Sequence, residues 1–218
     1  MNRPLALVYR GPATTPGCPE AVAGVLADHF AVRFTGPREK TELGAAALAG
    51  AALYAQPGGG TLSHAYRKLR RHRDDIRDFV RGGGRYLGFC LGGYLAGATP
   101  GFGLLPGDTD RYIDSAGASV GHDGDAVVTV RWRGRRRRLY FQDGPVFLLD
   151  RPDAAEVLAT YPNGTIAALV APFGAGRVGV VGPHPEATAD WYGVRWPRRP
   201  LRSGHDLARD LVEAVLAG

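Results

Sequence analysis

The sequence predicts an α/β protein built on a mostly parallel, doubly wound sheet with an antiparallel hairpin extension in its second half. Three observations lead there. Short continuous apolar runs alternate with segments of helical period through the first hundred residues. The apolar runs give way to loops or turns rich in glycine and proline. After about residue 120 the pattern changes to alternating strands joined by tight turns. Strands covered by helices on both faces read as unbroken apolar runs, and β-α-β-α order gives parallel neighbours with right-handed crossovers.

Residues 5–9, Leu-Ala-Leu-Val-Tyr, form the first buried strand and run into Arg10-Gly11-Pro12. Val22, Val25, Leu26 and Phe30 then recur at helical spacing over residues 19–30, and residues 31–34 form a second strand. Residues 42–49 are Ala-rich and helical, and residues 52–55 are a third strand ending at Gln56-Pro57-Gly58-Gly59-Gly60. Tyr66, Leu69, Ile76, Phe79 and Val80 share one face of a long helix whose other face carries Arg67, Lys68, Arg70, Arg71, Asp74 and Asp75. Gly82-Gly83-Gly84 ends it, and residues 86–89 make a fourth strand.

Residues 126–132 alternate, residues 133–138 read as a basic turn, and residues 139–141 resume a strand. Residues 146–149, 156–161, 166–170 and 178–181 are further strands, and a last helix runs over about residues 206–217. With no repeat and no linker, residues 1–218 read as a single domain.

Composition narrows the class. In 218 residues, 44% are hydrophobic and 22% charged, as in ordinary globular proteins. No run approaches the roughly 18 apolar residues of a membrane span. The opening apolar run is too short for a signal peptide, so a cytoplasmic protein is expected, with no membrane partner. Two cysteines, Cys18 and Cys90, do not make a secreted disulfide framework. Net charge is +6, from 27 Lys and Arg against 21 Asp and Glu. Such a balance suits nucleic acid or acidic partners. Scarce Lys beside abundant Ala, Gly, Arg and Pro reads instead as the habit of a GC-rich genome, and no nucleic-acid role is expected.

Cys90 stands where a strand gives way to a helix, with glycines at 88, 92 and 93 around it. A nucleophile on such a strained turn needs small neighbours, and a helix N-terminus favours thiolate over thiol. A small buried cysteine filling a core corner is the plain alternative. His184 and Glu186 lie in Gly182-Pro183-His184-Pro185-Glu186, just past an apolar strand. In an extended segment, residues i and i+2 point the same way, so the carboxylate can orient the imidazole while its other nitrogen takes a proton from the thiol. Amides of Gly58, Gly59 and Leu91 are candidates for an oxyanion hole at the carboxyl edge of the sheet. No Gly-Lys-Ser/Thr follows the glycines, which speaks against a phosphate-binding loop. No metal or cofactor is expected.

Gly88-Phe89-Cys90-Leu91-Gly92-Gly93-Tyr94 with Gly182-Pro183-His184-Pro185-Glu186 resembles the Cys-His-Glu triad of class I glutamine amidotransferases. The closer resemblance is to the amidotransferase-like domain at the N-terminus of biotin-protein ligases. It is carried by residues 7–17, by Gln56-Pro57-Gly58-Gly59, by residues 79–94 and by Val157-Leu158-Ala159-Thr160-Tyr161. The resemblance implies a flavodoxin-like fold, Cys90 as nucleophile, His184 as base and Glu186 as its partner. It does not imply biotin ligation, because no biotin-binding Gly-Arg-Gly-Arg segment and no ligase lysine motif is present. Glutamine amidotransferases usually carry Gln four residues after the cysteine; Tyr94 stands there and points to a different, bulkier substrate.

The expected activity is that of a cysteine-dependent amidase, hydrolase or acyl transferase working through a thioester on a small-molecule or peptide amide or acyl substrate. A non-catalytic binding or regulatory module of the same fold is the alternative. Tyr94, Gly60 and Gly144 are candidates for substrate binding, and Trp191, Tyr192 and Trp196 for a cap on the pocket. Cys18 reads as a helix-start residue; its other possible role is as a thiol that resolves oxidised Cys90. Arg131-Trp132-Arg133-Gly134-Arg135-Arg136-Arg137-Arg138 reads as a solvated, charge-protected hairpin tip, with nucleic-acid binding through a stacking Trp132 the lesser reading.

Overall fold

An 11-stranded mixed sheet forms the framework of the computed structural model, which describes residues 3–192 and 204–217. The first half contains β1 (Leu5–Tyr9), α1 (Cys18–Leu26), β2 (Ala31–Thr35), α2 (Ala45–Ala49), β3 (Leu53–Gln56), α3 (Leu62–Leu69), α4 (Arg73–Arg81), β4 (Arg85–Phe89) and α5 (Leu91–Ala96). The second contains β5 (Gly107–Arg111), β6 (Ala126–Trp132), β7 (Arg135–Phe141), β8 (Pro145–Leu149), β9 (Glu156–Thr160), β10 (Ile166–Phe173), β11 (Gly176–Val181) and α6 (His205–Leu216). The sheet order is β2-β1-β3-β4-β11-β10-β9-β6-β7, with β8 paired to β10 and β5 to β8.

The strands from β2 to β11 are mutually parallel, and everything beyond β11 is antiparallel. This is the doubly wound sheet with an antiparallel extension that the alternation of patterns predicts. Strand side chains alternate between two covered faces. Ala6 and Val8 of β1 pack in one core with Val22 and Leu26 of α1 and Leu211 and Val215 of α6. Leu7 and Tyr9 pack in the other with Leu69 of α3, Ile76 and Val80 of α4 and Leu95 of α5. Burying one such leucine or valine stabilises the fold by about 1.5–3 kcal/mol relative to leaving it exposed.

The structure departs from the sequence reading in three places. The helix expected to run unbroken from Tyr66 to Val80 is two helices, α3 and α4, joined by a tighter turn at Arg70–His72. The apolar row lapses between Leu69 and Ile76, where His72 is the one buried side chain, so little holds a regular turn against the core. The basic turn is only Arg133-Gly134, and Arg135–Arg138 belong to β7. Both turn residues have positive φ, 42° and 79°, the two-residue hairpin geometry that matches strand twist. β5, Gly-Asp-Thr-Asp-Arg, was not expected: it has no apolar residue and is defined by pairing with β8.

Among the described residues no helix is long and apolar enough to cross a membrane.

Candidate active site

The adjacent central strands β4 and β11 deliver the two halves of the site. Cys90 follows β4 directly, with φ 49° and ψ −104°. A side-chain-bearing residue at positive φ costs of order 1 kcal/mol or more and persists where its surroundings enforce it. Here the Cys90 amide donates to the Val181 carbonyl (2.8 Å), and the Tyr94 amide donates to the Cys90 carbonyl (3.1 Å). A Cβ on Gly88 would collide with the Gly92 carbonyl, and one on Gly92 with the Gln56 carbonyl, so this turn requires glycine at both positions. The Tyr86 hydroxyl donates to the Gly92 carbonyl at 2.7 Å and fastens the turn from below.

His184 follows β11, and its amide donates to the Tyr140 carbonyl at 2.9 Å. Its Nδ1 lies 2.8 Å from Glu186 Oε1, the side-by-side placement that i, i+2 spacing in an extended segment predicts. Both side chains are almost completely buried. Burial opposes charge on the imidazole. The Glu186 carboxylate and then the Cys90 sulfur outweigh it, so the His184 pKa lies well above its ordinary value. The ring packs edge-on against Trp191 (centroids 5.3 Å apart) and Tyr140 (5.6 Å). Cys90 Sγ lies 3.5 Å from the Gln142 carbonyl oxygen.

The glycine loop after β3 closes over this pair. A Cβ on Gly58 would lie 2.6 Å from His184 Cε1 and 3.3 Å from Cys90 Cβ, so the bare α-carbon is what lets the loop approach. Gly59 has φ 94° and abuts Thr15. The Thr14 hydroxyl (2.6 Å) and the Thr15 amide (3.3 Å) both donate to the Gly58 carbonyl. Gln56, fully buried, accepts from the Tyr54 hydroxyl (2.7 Å) and donates to the Ala13 carbonyl (3.0 Å). It ties the loops after β1 and β3 together rather than reaching the cleft. Leu91 opens α5, where an amide has no acceptor within its own helix.

A cleft of about 960 Å³ opens above the pair. Of the residues singled out from sequence, Cys90, Leu91, Gly59, Gly60, Tyr94 and His184 line it. Gly58 packs against His184, and Glu186 lies behind the imidazole. Gly144 is not among the lining residues: it packs against the Gly182 carbonyl, where any Cβ would collide. Its neighbour Asp143 lines the cleft instead. Trp191 lines it too, whereas the Tyr192 hydroxyl accepts from the Tyr140 amide at 3.1 Å. Trp196 lies outside the described residues.

The Tyr94 hydroxyl is buried without a hydrogen-bond partner among the described residues, and burial, with Asp143 and Cys90 nearby, raises its pKa. Cys18 opens α1 and lines the same cleft; burial, then Glu186 and Cys90, pushes its thiol up to about 12. The Arg111–Asp143 pair was not singled out from sequence. Arg111 Nε reaches Asp143 Oδ1 at 3.0 Å and Nη2 reaches Oδ2 at 2.9 Å, with Asp143 held at φ 48°. Gly144, a candidate from sequence, adjoins one partner, but polar β5 gives no sign of the other. Trp132, offered as a stacking platform, is instead buried and donates Nε1 to Asp210 at 2.6 Å.

The elbow and its glycine loop fall within a stretch that matches a known family. Residues 5–108 match the family described as biotin-protein ligase, N terminal. The match spans Gly58, Gly59 and Cys90 and stops before His184 and Glu186. A glutamine amidotransferase from Thermotoga maritima has the same fold at 16% identity, with 99% of this chain and 97% of that one covered and a TM-score of 0.62. A glutamine amidotransferase from Methylobacillus flagellatus aligns at 15% identity over 100% and 94%, with a TM-score of 0.57. A β-galactosidase from Rahnella aligns at 17% identity over 98% of this chain but 32% of its own, with a TM-score of 0.55. These likenesses establish a glutamine amidotransferase-like fold, and the third shows the same fold within a larger enzyme of another activity. No curated protein sequence matches the chain.

Proposed function

We propose that the chain is a cysteine-dependent amidase, hydrolase or acyl transferase in which Cys90, His184 and Glu186 act as one unit through a thioester. The observation that carries this is the buried 2.8 Å contact between His184 and Glu186, set against a cysteine at positive φ in the floor of a cleft.

Glu186 holds Nδ1, which leaves Nε2 to exchange a proton with the sulfur. The raised imidazole pKa equips His184 to hold a proton beside the Cys90 sulfur. The thiolate adds to the substrate carbonyl carbon, forming the C–S bond and moving the carbonyl π electrons onto oxygen. Amides of Leu91, Gly58 and Gly59 receive that oxyanion; one such donor is typically worth about 3 kcal/mol of barrier. The oxyanion collapses, the C–N or C–O bond breaks, and the leaving group takes the His184 proton. Neutral His184 then takes a proton from water or an amine as that group attacks the thioester and expels Cys90 as thiolate.

Tyr94 lines the cleft four residues after Cys90, where its ring is placed to meet the substrate. A panel of amides, esters and thioesters, followed by intact mass spectrometry, tests the proposal. An acyl adduct confined to Cys90, with turnover lost in Cys90→Ala, is the expected outcome. Turnover that survives Cys90→Ala, or the absence of any adduct across the panel, contradicts it.

A further inference from the structure

We propose that the outer edge of β7 is a docking surface for an acidic protein segment, which adds to the sheet there as one more strand. The proposal is independent of whether Cys90 is catalytic.

Five of the six arginines of the β6–β7 hairpin divide into two sets; the sixth, Arg135, is exposed on the face of Arg137. Arg133 is held by Asp210 (2.8 Å) and Glu156 (3.1 Å), and Arg137 by Asp206 (2.6 Å), so these fasten the hairpin to α6 and β9. Arg131, Arg136 and Arg138 share the opposite face and are exposed. Among the described residues Arg136 and Arg138 make no hydrogen bond or ion pair, and Arg131 reaches the Gly134 carbonyl at 3.4 Å and no carboxylate. Residues 1–2, 193–203 and 218 contain no Asp or Glu, so every carboxylate side chain of the protein is among the described residues. Asp125 accepts from the Tyr140 hydroxyl at one end of this row (2.6 Å), and no described carboxylate pairs with Arg131, Arg136 or Arg138.

The outer side of β7 is bridged at Tyr140 by His184 and Tyr192, and among the described residues nothing pairs with the outward backbone groups of Arg136 and Arg138. β7 ends the sheet order. The Tyr140 amide donates to the Tyr192 hydroxyl and its carbonyl accepts from the His184 amide, so both groups point away from β6. Antiparallel pairing alternates with a two-residue period, and Arg138 and Arg136 therefore turn their N–H and C=O groups outward as well. Arg131 and Arg136 are directly opposed across the hairpin. They sit at the pair type whose side chains approach most closely, and like charges opposed in this way destabilise a sheet.

An incoming strand with acidic side chains on this face would place them about 4.5–5.5 Å, Cβ to Cβ, from Arg136 and Arg138. It would complete the open ladder and relieve the repulsion. The same guanidinium groups repel a second copy of β7, so the edge is closed to self-association and open to acid. A single-stranded nucleic acid is the poorer fit, because Trp132, the ring that would stack on a base, is buried against Asp210.

The test is fluorescence anisotropy on the full chain with three labelled probes. The probes are a 12-residue peptide of alternating Glu and Thr, a peptide of the same composition with its Glu in one block, and a single-stranded oligonucleotide of matching charge. The alternating peptide should bind at least fivefold more tightly than either of the others. Arg136→Gln with Arg138→Gln should weaken it at least tenfold, while Arg135→Gln, on the other face of the same exposed strand, should leave it within about twofold. Equal binding of the block peptide or the oligonucleotide, equal loss in Arg135→Gln, or no binding of any probe overturns the proposal.

Discussion

Two turns of this molecule bring a cysteine to the same cleft, and they surround it differently. Cys18 follows β1 after an eight-residue loop and opens the nine-residue helix α1; Cys90 follows β4 with no loop at all. Both side chains are buried and both line the cleft. Cys18 keeps helical backbone geometry, and the charged groups that act on it, Glu186, Cys90 and Glu20, all disfavour its thiolate. Cys90 is bent to positive φ, and His184 packs beside it. A place at the carboxyl edge of the sheet and the start of a helix is therefore not enough. What separates the two turns is the imidazole that β11 delivers to one of them.

The largest effect should come from deleting each thiol in turn. Cys90→Ala should abolish covalent labelling by electrophilic acyl probes at pH 7, whereas Cys18→Ala should leave the labelling rate within about twofold. Labelling that moves to Cys18, or persists undiminished in Cys90→Ala, would erase the distinction between the turns.

Gly58→Ala displaces the imidazole while leaving the Cys90, His184 and Glu186 side chains themselves unchanged. Its methyl would stand 2.6 Å from His184 Cε1, so the ring must shift. A displacement near 1 Å in such a site costs roughly 100-fold in rate. We expect that loss in Cys90 acylation with the thermal midpoint and far-UV circular dichroism nearly unchanged. A rate equal to wild type would show that the close fit of the glycine loop against His184 and Cys90 does not matter to acylation.

The smallest effect concerns stability and pH. His184 is held above its unfolded value of about 6.5. Protonation of the folded pair therefore contributes stability that is fully present below about pH 6.5 and is lost as pH rises through the folded value. Glu186→Gln removes the carboxylate that sustains this, at a cost of about 3 kcal/mol at pH 6. The cost should shrink as pH rises towards 10. Thermal unfolding of both proteins across that range checks the sign; a cost that is flat or grows with pH contradicts it.

The parallel half of the fold was legible because its strands are buried on both faces: Leu5–Tyr9 and the Tyr86–Phe89 run carry that burial as unbroken apolar sequence. The elbow was legible for a steric reason, since Gly88 and Gly92 have no room for a side chain. His184 and Glu186 were legible through their spacing. The far wall of the cleft was not. Arg111 sits in an all-polar strand made by pairing with β8, and Asp143 meets it from 32 residues away. Tyr140 reads as one more strand aromatic until the β6–β7 register turns it towards His184. Those features depend on long-range pairing, which leaves little local pattern in a sequence.

The central claim is that His184 activates Cys90 and leaves Cys18 inert, and the most direct measurement is the rate of iodoacetamide alkylation at each cysteine against pH, resolved by peptide mass spectrometry. In wild type, Cys90 should alkylate at pH 6 at a rate close to that at pH 8, and Cys18 should stay unmodified. In His184→Ala the Cys90 rate at pH 6 should fall by roughly 100-fold and recover as pH rises, because an ordinary thiol with pKa about 8.5 is less than about 1% thiolate at pH 6. The same Cys90 profile in both proteins would contradict the account.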